Sequence, residues 1–193
     1  MKVNLQERRH VFVDVFDIEE AVLQYELYDG SMSEPVRRLS LERGDSAAAI
    51  LFDRARGSVI LVEQFRYPAW SKGGGWLIET IAGVVDPGES PELAVLREIE
   101  EESGYRVDAV THVSTFFLSP GGSSERVFLY CALVDSSQRV DSGGGLDSEN
   151  EDIRVLEIPT AELRHRLARG DFADAKTLIG LQWLLTQIDE DAE

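Results

Sequence analysis

The sequence predicts an α+β fold in which helices pack on a sheet, and three observations lead there. Six apolar runs rich in β-branched residues follow one another between residues 47 and 158, bounded by Gly, Pro and Asp turn signals. Helical periodicity appears in only three places, one between the third and fourth runs and two after the sixth. With 43% apolar and 28% charged residues, a chain of 193 residues has the composition to fold around one core.

The elements can be justified in order. Residues 1–44 read differently from the rest: "VFVDVFDIEEAVLQYELYDGSMSEPVRRLSLERG" suggests strands about an Asp29-Gly30 turn, an N-terminal β appendage to a main domain of residues 45–193. "AAAILF", "SVILVEQF" and "WLIETIAGVV" are then the first strands of the main sheet. Ser90 can cap a helix with Pro91 at its first position and Gly104 just past its end, which sets a helix over 91–103. "VSTFFL" and "RVFLYCALV" return to the sheet, the latter carrying Cys131. As the single cysteine it excludes an intrachain disulfide and a cysteine metal cage, and reads as a buried thiol. Residues 135–152, "DSSQRVDSGGGLDSENED", are too long and polar for an ordinary hairpin connection. After the strand "IRVLEI" come a helix capped by Thr160 and stopped near Gly170, and a last helix with Leu178, Leu181, Leu184 and Leu185 on one side.

Nineteen Lys and Arg against thirty-six Asp and Glu give a net charge of −17, which argues against broad binding to nucleic-acid phosphates or anionic lipid. The N-terminal residues lack the apolar region of a signal peptide, and no run approaches the ~20 apolar residues of a membrane span. The expectation is a cytoplasmic protein without nucleic-acid or membrane partners.

The segment "REIEEESGY" crowds Glu98, Glu100, Glu101 and Glu102 near a helix carboxyl end, where like charges and the helix dipole both oppose them. A positive partner is missing from the sequence. At ~100° per residue, Glu98, Glu101 and Glu102 share one face while Glu100 points away. Leu93, Leu96 and Ile99 are expected to bury against the sheet, leaving the glutamate face towards a cleft or solvent.

Residues 83–105, "GVVDPGESPELAVLREIEEESGY", resemble the box of the Nudix family: G, five residues, E, seven residues, then R-E-U-x-E-E-x-G-U, with U usually aliphatic. Gly83, Glu89, Arg97, Glu98, Ile99, Glu101, Glu102 and Gly104 fall in register, and Tyr105 is the one departure. The resemblance implies a Nudix α/β/α sandwich with a mixed sheet, and a divalent cation, Mg2+ or alternatively Mn2+, held by Glu98, Glu101 and Glu102 with the carbonyl of Ala82. Hard oxygen donors suit such a cation. It also implies that Arg97 orients the glutamates and that Glu89 supports them.

Outside the box, "SPGGSSER" places Pro120 sixteen positions beyond Gly104 and resembles the ADP-ribose pyrophosphatase branch; the GDP-mannose pyrophosphatase branch shares "SPGG". By that resemblance Glu125 would bond substrate, and Arg66 in "EQFRYPAW" would meet the diphosphate, for which a guanidinium is suited. Arg37 and Arg38 match a basic pair in an appendage that packs against a second subunit, which implies a homodimer, with Arg38 a candidate substrate residue. The catalytic base would lie in "GGGLDSENEDIRV", as Glu149 or, in reserve, Glu151, on a loop made mobile by Gly143, Gly144 and Gly145. The implied reaction is in-line attack of water on one phosphorus of ADP-ribose, giving AMP and ribose 5-phosphate. GDP-mannose or another nucleoside diphosphate sugar is the alternative, and a non-catalytic ADP-ribose sensor the distant one, since such sensors usually lose box glutamates that this chain keeps.

Overall fold

A computed structural model of the protein describes residues 1–146, 148 and 150–190. Its contacts divide into two units. The first comprises Met1–Asp45 with Phe117–Arg126, the second Ser46–Phe116 with Val127–Glu193.

In the first unit β1 (Val3–Val13), β2 (Asp17–Tyr25) and β3 (Val36–Glu42) form an antiparallel sheet with β2 in the centre. The Asp29-Gly30 turn lies between β2 and β3: Ser31 bonds the Asp29 carboxylate, and Gly30 has φ of 85°. β1 is exposed along its whole length. Residues 117–126 fasten to β3, with Leu41 N–H donating to Gly122 O at 2.8 Å and the Ser124 hydroxyl to Glu42 at 2.6 Å.

The second unit is built on a mixed seven-stranded sheet. β4 (Ser46–Asp53) pairs antiparallel with β5 (Ser58–Phe65) and parallel with β9 (Arg126–Leu133); β8 (Thr111–Phe117) and β10 (Arg154–Pro159) flank them. Every residue of β4 is buried, because both faces of the sheet are covered. Ala47, Ala49 and Leu51 face a core shared with α2 (Pro91–Ser103). Ile50 and Phe52 face a second core with Leu163 of α3 (Thr160–Arg169) and Leu181, Leu184 and Leu185 of α4 (Ala175–Glu190). The period-2 alternation of one strand thus feeds two helical layers. A fully buried Leu or Ile contributes about 1.5–3 kcal/mol, so these two cores hold the sheet from both sides.

Two expectations are corrected. "WLIETIAGVV" is two strands, β6 (Trp76–Glu79) on β5 and β7 (Ile81–Val84) on β4. The chain switches partners at Thr80, whose N–H donates to Thr177 Oγ1 at 2.8 Å and whose hydroxyl bonds the Ala49 carbonyl. Thr160 is the first residue of α3 rather than its cap; its hydroxyl donates to Gly57 O at 2.9 Å. A short helix, α1 (Tyr67–Trp70), follows β5. Among the described residues no helix is long and apolar enough to cross a membrane.

Candidate active site

The local chemistry of α2 sets the site. Ser90 Oγ accepts the Leu93 N–H at 3.2 Å, Pro91 opens the first turn, and Gly104 closes the helix in the left-handed region at φ 74°. A side chain at Gly104 would put its Cβ 2.4 Å from the Asp141 carbonyl oxygen, so backbone packing there demands glycine.

The buried stripe runs through Ala94, Val95, Glu98, Ile99, Glu102 and Ser103, while Leu93 is exposed. This corrects the expected orientation. On a helical wheel Glu102 lies about 20° from Val95, so two of the three glutamates continue the core face instead of facing away from it. The sheet makes room for them at β7. A Cβ on Gly83 would lie 1.8 Å from Glu98 Oε1, and the Ala82 N–H donates to Glu102 Oε2 at 3.2 Å.

Such burial disfavours charge. Glu98 is pushed up to about 7, chiefly by loss of water and only partly offset by Arg97. Glu102, 1% exposed, is raised well above the ordinary carboxylate range by burial and then by the charge of Glu98, against the help of the Ala82 amide. The charge of Glu151 adds to both, and the Arg66 guanidinium is close enough to lower Glu102 a little.

Arg97 is the cation of this face. Its Nη1 donates to Glu98 at 2.7 Å and Glu101 at 3.1 Å, its Nη2 lies 3.3 Å from Glu89 Oε2, and it also reaches the Val84 carbonyl. Glu100, on the other side of the helix, pairs with Arg106. One guanidinium therefore serves three carboxylates, and Glu102 receives an amide in place of a cation. Among the described residues no three acidic, His or Cys side chains converge at metal-holding spacing: Arg97 holds Glu98 and Glu101, and Glu102 turns to β7. The donor chemistry nevertheless fits a hard divalent cation, since buried carboxylate oxygens with too little positive charge are what such an ion satisfies.

Comparison with known proteins places the chain in a family. Residues 42–178 match the NUDIX domain family model. The chain belongs to the Nudix family. It is a Nudix hydrolase by this membership; its mixed sheet between helical layers is the architecture the box implied, and its N-terminal sheet is the appendage read from residues 1–44. Similar proteins include a GDP-mannose pyrophosphatase of Cronobacter sakazakii, 41% identical over 150 residues (77% of each chain). A GDP-mannose pyrophosphatase of Klebsiella pneumoniae is 40% identical over 168 residues, 85% of this chain and 83% of the relative. An ADP-ribose pyrophosphatase of Haemophilus influenzae is 39% identical over 173 residues, 88% of this chain and 79% of the relative.

Beside the Nudix helix the glycine-rich loop meets the end of α2. The N–H groups of Gly144 and Gly145 donate to the carbonyls of Glu102 and Glu101 at 2.9 and 3.1 Å, closing the carboxyl end of α2. Glu151 Oε2 accepts the Leu146 N–H at 3.1 Å. Glu149 lies outside the described residues. Between loop and helix is an open cleft of about 540 Å³ lined by Arg97, Glu100, Glu101, Asp141, Ser142, Gly143, Gly145 and Leu146.

Arg66, just before α1, donates its Nε–H to Glu79 Oε2 at 2.7 Å. Glu79, 4% exposed, also faces Lys176 Nζ of α4 at 3.9 Å. Sequence reasoning missed both partners; the visible signal was one glutamate inside the apolar run "WLIETIAG". The other candidates belong to the first unit. Glu125 is buried with Arg43 Nε 3.7 Å away, Pro120 lies in a turn in which Gly122 N–H donates to Ser119 O, and Arg38 is exposed. Its neighbour Arg37 is committed to Glu20.

Proposed function

We propose that this Nudix hydrolase cleaves the diphosphate of a nucleoside diphosphate sugar in a reaction dependent on a divalent cation. The observation that carries the reading is the carboxylate face of α2, where Glu98 and Glu102 are buried with less positive charge than they need. Glu98, Glu101 and Glu102, with the carbonyl of Ala82, would hold Mg2+ or Mn2+. When bound, the ion supplies neutralisation of the diphosphate and of charge developing at phosphorus. Arg97 restrains Glu98 and Glu101 from one side, and Glu89 restrains Arg97. Arg66 offers its guanidinium to phosphate oxygens in a protein of net charge −17, where an anionic substrate needs a local cation.

Proton transfer falls to a carboxylate of the segment after the glycines. Glu151 has support among the described residues, since its charge is felt at both Glu98 and Glu102. Glu149 is the alternative, and comparison of Glu149→Gln with Glu151→Gln separates them: the base is the one whose loss lowers kcat far more than it raises KM.

ADP-ribose, cleaved to AMP and ribose 5-phosphate, is the substrate favoured by "SPGGSSER"; Pro120 and Glu125 within it, and Arg38, remain substrate candidates on the strength of that resemblance. GDP-mannose is the second reading, favoured by the names of the Cronobacter and Klebsiella relatives. Product analysis with Mg2+ on ADP-ribose, GDP-mannose and UDP-glucose, each against a chelated control, decides among them. Binding of ADP-ribose with no turnover of any substrate would turn the reading to a sensor.

A homodimer is part of the proposal. β1 is an edge strand of 11 residues whose Val3, Leu5, Val11, Phe12 and Val13 are exposed, a surface that a second copy would cover. Sedimentation equilibrium tests it, and a monomer at micromolar concentration would remove it.

A further inference from the structure

The ion pair between Arg66 and Glu79 differs from two other arginine pairs of the molecule. Arg106 grips Glu100 through Nε and Nη2 at 2.9 and 2.5 Å, and Arg126 grips Asp45 through the same two nitrogens at 3.0 and 2.6 Å. Those forks are closed on a carboxylate. Arg66 gives Glu79 only its Nε–H, and among the described residues its Nη groups have no hydrogen-bond partner, on a side chain 40% exposed.

Glu79 is itself held from behind. Lys176 Nζ lies 3.9 Å from its second oxygen and 2.6 Å from Asp174 Oδ1. Asp174 in turn accepts the N–H and hydroxyl of Thr177, at 2.9 and 2.8 Å, and Thr177 Oγ1 accepts the N–H of Thr80. The first turn of α4 is thereby fastened to the end of β6, with cations on both sides of one buried carboxylate. A guanidinium tethered only by its flexible stem samples many rotamers, and ordering it on binding costs affinity; fixing Nε in the free protein removes that cost and aims the Nη edge.

We infer that Glu79 is a positioning residue which, backed by Lys176, locks Arg66 so that its outward Nη edge forms a ready receptor for a diphosphate oxygen of the substrate. The inference rests on the nucleoside diphosphate sugar reading for its ligand, but not on turnover for its test. The probe is α,β-methylene-ADP, which cannot be hydrolysed, titrated calorimetrically with Mg2+ into the full-length protein, Glu79→Gln, Arg66→Ala and the double variant. Glu79→Gln is expected to weaken binding by about tenfold, as loss of orientation does, and to weaken it no further once Arg66 is alanine. Glu63→Gln, which removes the partner of Arg154 elsewhere on β5, serves as the control and should bind as wild type does.

Wild-type affinity in Glu79→Gln, a full additive loss in the double variant, or no binding of the probe by the wild type would each overturn the inference. Binding and coupling as expected, with no hydrolysis of any nucleotide sugar, would uphold it while removing the proposed reaction. If Glu79→Gln does not fold, the Arg66 Nε–H resonance of the wild type still decides. A proton protected from exchange in the free protein supports the lock, and one exchanging as fast as that of a solvent-exposed arginine refutes it.

Discussion

Glu20 in the first unit and Glu102 in the second are both buried carboxylates, and their surroundings treat them in opposite ways. Glu20, on the central strand β2, is clamped by Arg9, whose Nε and Nη2 donate at 3.0 and 2.7 Å, and by Arg37 from the neighbouring strand. The bond to Arg9 and then that to Arg37 hold its carboxyl below the usual range. Glu102 has the Ala82 amide, the repulsion of Glu98 and no salt bridge among the described residues, and it is driven the other way. Burial therefore does not by itself say what a carboxylate is for. Where the chain supplies its own cations the group is a clamp; where it withholds them, on the proposed reading, the group is left to a cation from outside.

The largest effect expected from this contrast is on turnover. Glu102→Gln keeps an oxygen for the Ala82 N–H and loses the charge, so the melting temperature should hold. Metal-dependent kcat should fall about a thousandfold, the equivalent of about 4 kcal/mol of transition-state charge stabilisation. Steady-state kinetics beside calorimetry measure both. Unchanged turnover would place Glu102 with the structural carboxylates and erase the distinction. Glu20→Gln should do the reverse, lowering the melting temperature by a few degrees because two arginines lose their common partner. Coincident melting of variant and wild type would show that the clamp contributes nothing.

How much of this contrast was legible in the sequence depends on how local its causes are. The bounds of α2 could be read because Ser90, Pro91 and Gly104 are neighbours whose effects are confined to one turn. The metal-site candidates could be read because box spacing is a property of one segment. The orientation of α2 could not: Leu93 looked like a core residue, but the face that buries is set by Ala94, Val95 and the space over Gly83 on a different strand. The break of "WLIETIAGVV" at Thr80 depends on Thr177, 97 positions away, and the tie of Glu79 to Lys176 spans the same gap. Asp174 was the readable cap that went unread, since an Asp before "AKTL" is an ordinary helix start.

A pH dependence extends the comparison to a carboxylate that is clamped at the surface. Asp171 is held down to about 2 by hydrogen bonds and charge from Arg169 and then Arg166, at the carboxyl end of α3. Its folded value lies below that of the unfolded chain, near 4. The sign follows: the pair contributes fully above the unfolded value, and its contribution is lost as pH falls towards about 2. Asp171→Asn should therefore melt earlier than wild type from pH 5 to pH 8, with the gap closing on acidification. A gap that stays constant with pH would assign the effect to packing instead of charge.

The smallest effect concerns burial with no charge nearby. Cys131 lies in β9, shielded by the sheet, and burial pushes its thiol up to about 11. At pH 8 only about one molecule in a thousand would then carry a thiolate, the form that reacts. Iodoacetamide should modify the native protein at least about a hundredfold more slowly than the urea-unfolded chain, read by mass spectrometry, and Cys131→Ala should leave turnover unchanged. A thiol can meet burial by keeping its proton, and the chain asks nothing more of Cys131. Glu98 and Glu102 could do the same, but only by giving up the negative charge that a cation needs. Rapid native labelling of Cys131 would mean that the sheet admits water on the time scale of reaction.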